Sequence, residues 1–173
     1  MSDGLTSSKT SNPAGQSAGK GLVNTRSDTS HVTHHASPAF TFPIRIYWED
    51  TDAGGIVYYA NYLKFMERAR TEWLRHLGVE QEPLRLEHGL IFVVVHADVH
   101  FKKPARYGDM LQVGCALKER SRVSMTFEQT VAREETAELL VTGAVKIACL
   151  DAMKMKPRGL PESVVQQLAG GIR

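Results

Sequence analysis

Cysteine is almost absent from this sequence, with only Cys115 and Cys149 among its 173 residues. Each stands alone in an apolar run, which supplies neither the paired spacing of a zinc site nor the density of a disulfide scaffold. Both read as small core residues in a reducing compartment. Long apolar runs are missing too: none approaches the ~18 residues of a membrane span, and no apolar secretory segment opens the chain. A cytoplasmic protein without a membrane span is expected. Charge of one sign is equally lacking, since 21 Lys and Arg face 19 Asp and Glu. Such a balance leaves no electrostatic footprint for a polyanion and argues against nucleic acid as a partner. Common catalytic signatures are also missing. There is no G-x-S-x-G elbow, G-x-x-x-x-G-K-[ST] loop, G-x-G-x-x-G or H-E-x-x-H, which removes the ready readings as serine hydrolase, nucleotide hydrolase, dinucleotide enzyme or zinc protease.

Large apolar side chains are scarce in residues 1–41, which are mostly Ser, Thr, Gly, Asn and His. Such a stretch cannot bury enough surface to offset the entropy of ordering, so a disordered low-complexity tail is expected over 1–41 and one folded domain over 42–170. His31, His34 and His35 fall in this tail with no cysteine or carboxylate beside them, and no metal site is read there.

From Phe42 the patterning changes. Ile44, Ile46 and Trp48 alternate with Arg45 and Tyr47, which predicts a strand after Pro43. Tyr62, Phe65, Met66, Ala69, Trp73 and Leu77 recur at spacings of three and four, which predicts one long helix with Gly78 as its stop. Leu63 and Leu74 widen its apolar stripe, leaving Lys64, Glu67, Arg68, Thr71 and Arg75 as the wet side. A helix so broadly apolar needs to be wrapped. Four runs of period two supply the wrapper: Leu90–Phe101, with Val95, Ala97, Val99 and Phe101 opposite His96, Asp98 and His100; Leu111–Leu117; Val123–Val131; and Val141–Cys149. Turn signals at 103–109, 119–122 and 133–136 separate them, and connections this short favour antiparallel neighbours. A short helix over 161–168 closes the domain. The fold class is α+β, with one long helix packed on one curved sheet.

Between the first strand and the long helix lies Asp50-Thr51-Asp52-Ala53-Gly54-Gly55-Ile56-Val57-Tyr58-Tyr59-Ala60-Asn61-Tyr62. It delivers a carboxylate through a glycine turn to a helix start, where unpaired N–H donors and the positive end of the macrodipole can hold an oxyanion. The plain alternative is a loop in which Asp52 only caps the helix.

The string Tyr47 to Tyr58, then Asn61-Tyr62-Leu63 and Glu67-Arg68-Ala69-Arg70-Thr71-Glu72, resembles the signature of hotdog-fold acyl-CoA thioesterases, the 4-hydroxybenzoyl-CoA thioesterase superfamily. Met153-Lys154-Met155-Lys156-Pro157-Arg158 with Leu160-Pro161 is similar to its Tol-Pal-associated, YbgC-like branch. The likeness spans about Phe42 to Leu168. It implies a hotdog fold, in which a long central helix is wrapped by a curved five-stranded antiparallel sheet. It places the catalytic carboxylate on Asp52, not Asp50, with a backbone N–H near Tyr59 as oxyanion donor and Gly55, Val57, Tyr58 and Asn61 against the substrate. Two departures stand out: Tyr59 where that branch usually has His, and Trp48 where it usually has Tyr. Tyrosine at position 59 resembles instead the 4-hydroxybenzoyl-CoA thioesterases, so the departure bears on the acyl group more than on the reaction. Asp52 would act as nucleophile, through an acyl anhydride, or as general base for water.

Lys154, Lys156 and Arg158 suit the phosphates of coenzyme A, against the plain reading of a solvated segment. Lys102, Lys103 and Arg106 form a second basic cluster on a strand-end loop. Glu67 reads as solvated, and His96 and His100, on one strand face without a third ligand, as surface or interface residues.

The resemblance thus implies hydrolysis of an acyl-CoA thioester to free acid and coenzyme A, with no metal and no cofactor apart from the coenzyme A of the substrate. The acyl carrier would be coenzyme A or acyl carrier protein, and the assembly a dimer or a homotetramer of dimers. Two other readings share the fold: a non-catalytic module that binds acyl-CoA or acyl carrier, and a dehydratase or hydratase. The latter pairs an acidic residue with a His that this segment lacks.

Overall fold

A computed structural model describes residues 40–169. The expected tail therefore lies, apart from Phe40 and Thr41, outside the described residues. The long helix is α1 (Tyr59–His76), and it buries Tyr62, Phe65, Met66, Ala69, Trp73 and Leu74, as the three-and-four spacing requires. Gly78, at φ 81°, follows its last turn. Lys64, Glu67, Arg68 and Arg75 face water, and so does Leu63, which the sequence had assigned to the apolar stripe.

Five antiparallel strands form one sheet in the order β1-β3-β4-β5-β2. They are β1 (Phe40–Arg45), β2 (Leu90–Phe101), β3 (Met110–Arg120), β4 (Ser124–Arg133) and β5 (Leu139–Asp151). α1 lies against β1, β3 and β4, and its apolar face meets the inward side chains Leu111, Val113, Cys115, Leu117, Met125, Phe127 and Val131. Register shifts interrupt the β2–β5, β3–β4 and β4–β5 ladders. Each such bulge bends its strand and increases the local twist.

Three sequence expectations are corrected. The first strand begins at Phe40 and ends at Arg45, so Trp48 is not in it. Tyr47 N–H donates to Asp50 Oδ2 (2.9 Å), and this local bond turns Trp48–Asp50 into a 3-10 turn. On β2 the register shift between Val94 and His96 resets the alternation. Phe92 and Val94 pair with the buried Cys149 and Ile147; after the shift Ala97, Val99 and Phe101 pair with Val145, Gly143 and Val141, and of these three only Val99 is partly buried. Val95, expected in that set, is the extra residue and stands exposed. Finally, a helix unforeseen in the sequence, α2 (Gln81–His88), leads into β2. Pro83 sits in its first turn, where a missing N–H costs nothing. The terminal helix, α3 (Glu162–Ala169), lies where one was expected and buries Val164 and Leu168.

Candidate active site

The chain between β1 and α1 is held by a set of short bonds. Thr51 bridges Val57, Asp52 N–H donates to the Ile56 carbonyl (3.0 Å), and Gly55 N–H returns to the Asp52 carbonyl (3.0 Å). Gly55 makes this reversal at φ 70°, where a side chain would be strained. Val57 is buried and its N–H donates to the Ala105 carbonyl (2.9 Å), while Ala105 N–H donates to the Tyr62 hydroxyl (2.8 Å). Burial in turn raises the Tyr62 phenol above its ordinary range. The loop is thus pinned to α1 and to the segment after β2.

Within this frame each aspartate accepts one backbone N–H, and the two differ in exposure, Asp50 being half-buried and Asp52 exposed. Asp50 spends Oδ2 on the Tyr47 N–H, and its carbonyl accepts from the Tyr58 N–H and from Asn61 Nδ2, both at 2.9 Å. Asp52 is exposed; Oδ1 accepts the Gly54 N–H (2.8 Å) and Oδ2 has no protein partner among the described residues. No side chain caps α1. Tyr58 is its N-cap, Asn61 N–H bonds the Tyr58 carbonyl (2.9 Å), and the Tyr59 and Ala60 N–H groups make no hydrogen bond among the described residues. A carboxylate with an open oxygen and a helix start with open donors therefore share one turn of chain.

Tyr58 and Tyr59 are both exposed beside it, with ring centroids 4.7 Å apart. The Tyr58 phenol is raised, first by the neighbouring Tyr59 phenol and, among smaller causes, by the Asp52 carboxylate. Tyr59 meets Phe101 edge-on at 6.2 Å, and both line a cleft of about 240 Å³ with Ile56, Tyr62, Lys102 and Lys103. Of the second basic cluster of the sequence, Lys102 and Lys103 but not Arg106 flank the aromatic cleft at the start of α1. Asn61 is buried and holds the loop, as described. Trp48 lies outside the cleft, stacked on Tyr107 at 4.0 Å.

Lys154, Lys156 and Arg158 are not brought to this place within one chain. Leu90, at the start of β2, pairs with Asp151, whereas Phe101, at its end, is beside Tyr59. Twelve residues of strand separate the two by roughly 35 Å. Arg158 Nη1 also donates to the His88 carbonyl (3.0 Å) and to Asp151 Oδ2 (3.2 Å).

One buried polar pair escaped the sequence reading. Arg70, 8% exposed, donates from Nη1 to Gln129 Oε1 (2.7 Å), and Gln129, 2% exposed, donates from Nε2 to the Met66 carbonyl (2.9 Å). A signal existed: Gln129 occupies the inward slot between Phe127 and Val131, and Arg70 follows Met66 by one turn.

The sequence pattern of the thioesterase-like superfamily matches residues 46–168. An acyl-CoA thioester hydrolase, YbgC, of Escherichia coli is 44% identical over 128 residues, which cover 74% of this chain and 94% of the relative. The acyl-CoA thioesterase YbgC of Haemophilus influenzae is also 44% identical, over 72% of this chain and 90% of its own. Among solved structures, a 1,4-dihydroxy-2-naphthoyl-CoA thioesterase from Synechocystis superposes with a TM-score of 0.70 at 25% identity, covering 75% and 95% of the two chains. A probable thioesterase from Bartonella henselae gives 0.66 at 36% identity, over 70% and 98%. The chain belongs to the thioesterase-like superfamily. It is a thioester hydrolase of the hotdog fold, and the resemblance to the YbgC-like branch is borne out.

Proposed function

We propose that the protein hydrolyses acyl-CoA thioesters, with Asp52 as nucleophile or general base and the open N–H groups at the start of α1 as oxyanion donors. The observation that carries this is the placement of Asp52: it is exposed, its Oδ2 accepts no hydrogen bond among the described residues, and the glycine turn after it leads straight into a helix start that no side chain caps. The open donors complement the negative charge that builds on the thioester carbonyl oxygen as it is attacked. Attack by Asp52 itself gives an acyl-aspartyl anhydride and expels coenzyme A thiolate, and water then opens the anhydride. Attack by water instead leaves Asp52 to take up the proton. Either route needs no metal or redox cofactor. Gly55, Val57, Tyr58 and Asn61 shape the binding turn, Gly55 and Tyr58 at its surface and the buried pair from beneath.

Two copies complete the site in this reading. One sheet edge, β1, is short and carries Pro43, which blunts it. The other, β2, is twelve residues long and exposes Val94, Val95 and Phe101. Antiparallel pairing of two β2 edges sets the start of one strand beside the end of the other. Lys154, Lys156 and Arg158 of the partner subunit then reach the cleft at Tyr59, where they suit the coenzyme A phosphates. We read the compartment as the cytoplasm, which the two buried, unpaired cysteines support.

The test is free-thiol release from a panel of aliphatic and aromatic acyl-CoAs and acyl-carrier thioesters, for the wild type and Asp52→Asn. A loss of about a hundredfold or more in the variant supports the reading. Equal rates in both proteins, or no release by either, would sink it.

A further inference from the structure

Arg70 is a cation set almost wholly out of water, and no carboxylate lies within ion-pair distance of it among the described residues. Its single protein hydrogen bond uses Nη1, on the Gln129 amide. Burial lowers its pKa, yet a guanidinium remains charged at any physiological pH. A charge so placed, with a neutral amide as its one hydrogen-bond partner and the Glu67 carboxylate only at longer range, lacks the directly paired anion that ordinarily accompanies a buried cation. Its other face borders a cleft of about 520 Å³, walled by Leu63, Val94, Ala97 and Val145 and edged by Lys64, Glu67 and Arg68. The walls are apolar, and cations outnumber carboxylates around them.

The position of this cleft relative to the reacting end follows from helix geometry. Tyr59, Leu63, Glu67 and Arg70 lie within one narrow arc of α1, since spacings of four, four and three advance little around a helix. An acyl group attached near Tyr59 would run down that arc over Leu63 toward Arg70. The rise from Tyr59 to Arg70 is about 16 Å, and the long Arg70 side chain, leaning back toward the N-terminus, shortens the span to roughly 10 Å. An extended chain covers about 3.5 Å for every three bonds, so roughly eight to ten carbons span the gap.

Resting on the hydrolase reading above, we propose that Arg70 is a specificity-determining residue for a terminal carboxylate, so that the preferred substrates are coenzyme A monothioesters of medium-chain dicarboxylic acids. The apolar walls take the methylene chain. The Nε–Nη2 edge of the guanidinium, which makes no hydrogen bond among the described residues, takes the carboxylate, whose planar oxygens match its two N–H donors. An anion is favoured over a neutral hydroxyl because it also neutralises the buried charge. The Gln129 amide, itself held by the Met66 carbonyl, fixes the plane in which the guanidinium presents those donors.

Octanoyl-CoA and decanoyl-CoA are compared with their ω-carboxyl and ω-hydroxy counterparts, by thiol release and by calorimetric binding of the matching non-hydrolysable thioethers. For the wild type, the ω-carboxyl member is expected to exceed the methyl-terminated one by about tenfold or more in kcat/KM and in affinity. Arg70→Met is expected to reverse that order, and Arg70→Lys to retain part of it. A wild type that does not prefer the ω-carboxyl member in binding overturns the proposal, whatever becomes of the variants. So does a preference that survives Arg70→Met, one that extends equally to the ω-hydroxy member, or a loss of oligomer in Arg70→Met without any wild-type preference. Absence of turnover on every thioester, with selective thioether binding intact, would refute the hydrolase reading and leave the Arg70 assignment standing.

Discussion

Asp50 and Asp52 stand two residues apart and each accepts one backbone N–H, yet only Asp52 is exposed. The sequence alone could not separate them by chemistry, because which lone pairs are spent depends on where the backbone N–H groups point after folding. The Tyr47 N–H points at Asp50 and the Gly54 N–H at Asp52, and what separates the two is the greater exposure of Asp52 in the turn that leads into α1. Arg70 and Gln129 were harder to see, since each sits at a periodic position where an apolar residue is the rule; only the facing of α1 and β4 makes them partners. Gly143 completes the same inner layer. A Cβ there would stand 3.2 Å from Met66 Cε and 3.3 Å from the Asp98 carbonyl oxygen. Gly143→Val should therefore lower stability by about 1–3 kcal/mol in denaturant titration; an unchanged midpoint would show that the layer yields freely. The cysteines were legible from their apolar surroundings, and burial pushes the Cys115 thiol up to about 12. An unfolded thiol releases its proton near pH 8.5. Between these values the folded state holds the extra proton, so this contribution to stability is lost as pH rises from about 8.5 to 12. Cys115→Ala should show a shallower fall in stability across that window. Neither thiol should react with a thiol-specific disulfide reagent until the protein unfolds.

At the scale of elements, α1 and the strands β2 to β5 were readable because their periodicity reports burial directly. β1 was displaced by about two residues, because a local carboxylate-to-backbone bond outcompeted the alternating pattern through Trp48. α2 was missed since eight residues with a proline and a following glycine carry turn signals stronger than their helical pattern. The start of α1 carries a sharper expectation. Proline fits the first helical position, where its missing N–H breaks no helix bond, and Tyr58 already has the extended backbone that must precede it (φ −60°, ψ 128°). Tyr59→Pro should thus preserve the melting temperature within a few degrees while lowering kcat by about a hundredfold through loss of one oxyanion donor. Tyr59→Ala, which loses the ring and keeps the N–H, should fall much less. Equal losses in the two variants would remove the backbone donor from the mechanism.

For the whole molecule, a single chain leaves its parts apart: the carboxylate and cleft lie at one end of β2 and the basic segment at the other. The sequence named both groups and had no means of showing that they sit at opposite ends of one strand. In the proposed dimer, self-pairing along β2 would reunite them and would also cover the exposed Val94, Val95 and Phe101. Sedimentation velocity should accordingly give a dimer or a dimer of dimers. The pair Lys154→Glu with Lys156→Glu should raise KM for acyl-CoA several-fold with little change in kcat. A monomeric, fully active protein would contradict that arrangement. The central claim, that the open carboxylate of Asp52 at the helix start performs the hydrolysis, is tested most directly by kcat for one good acyl-CoA substrate in Asp52→Asn and Asp50→Ala. The expected result is a loss of about a hundredfold or more for Asp52→Asn at unchanged melting temperature, against a lowered melting temperature and largely retained kcat for Asp50→Ala. The reverse pattern, or equal losses in both, would contradict it.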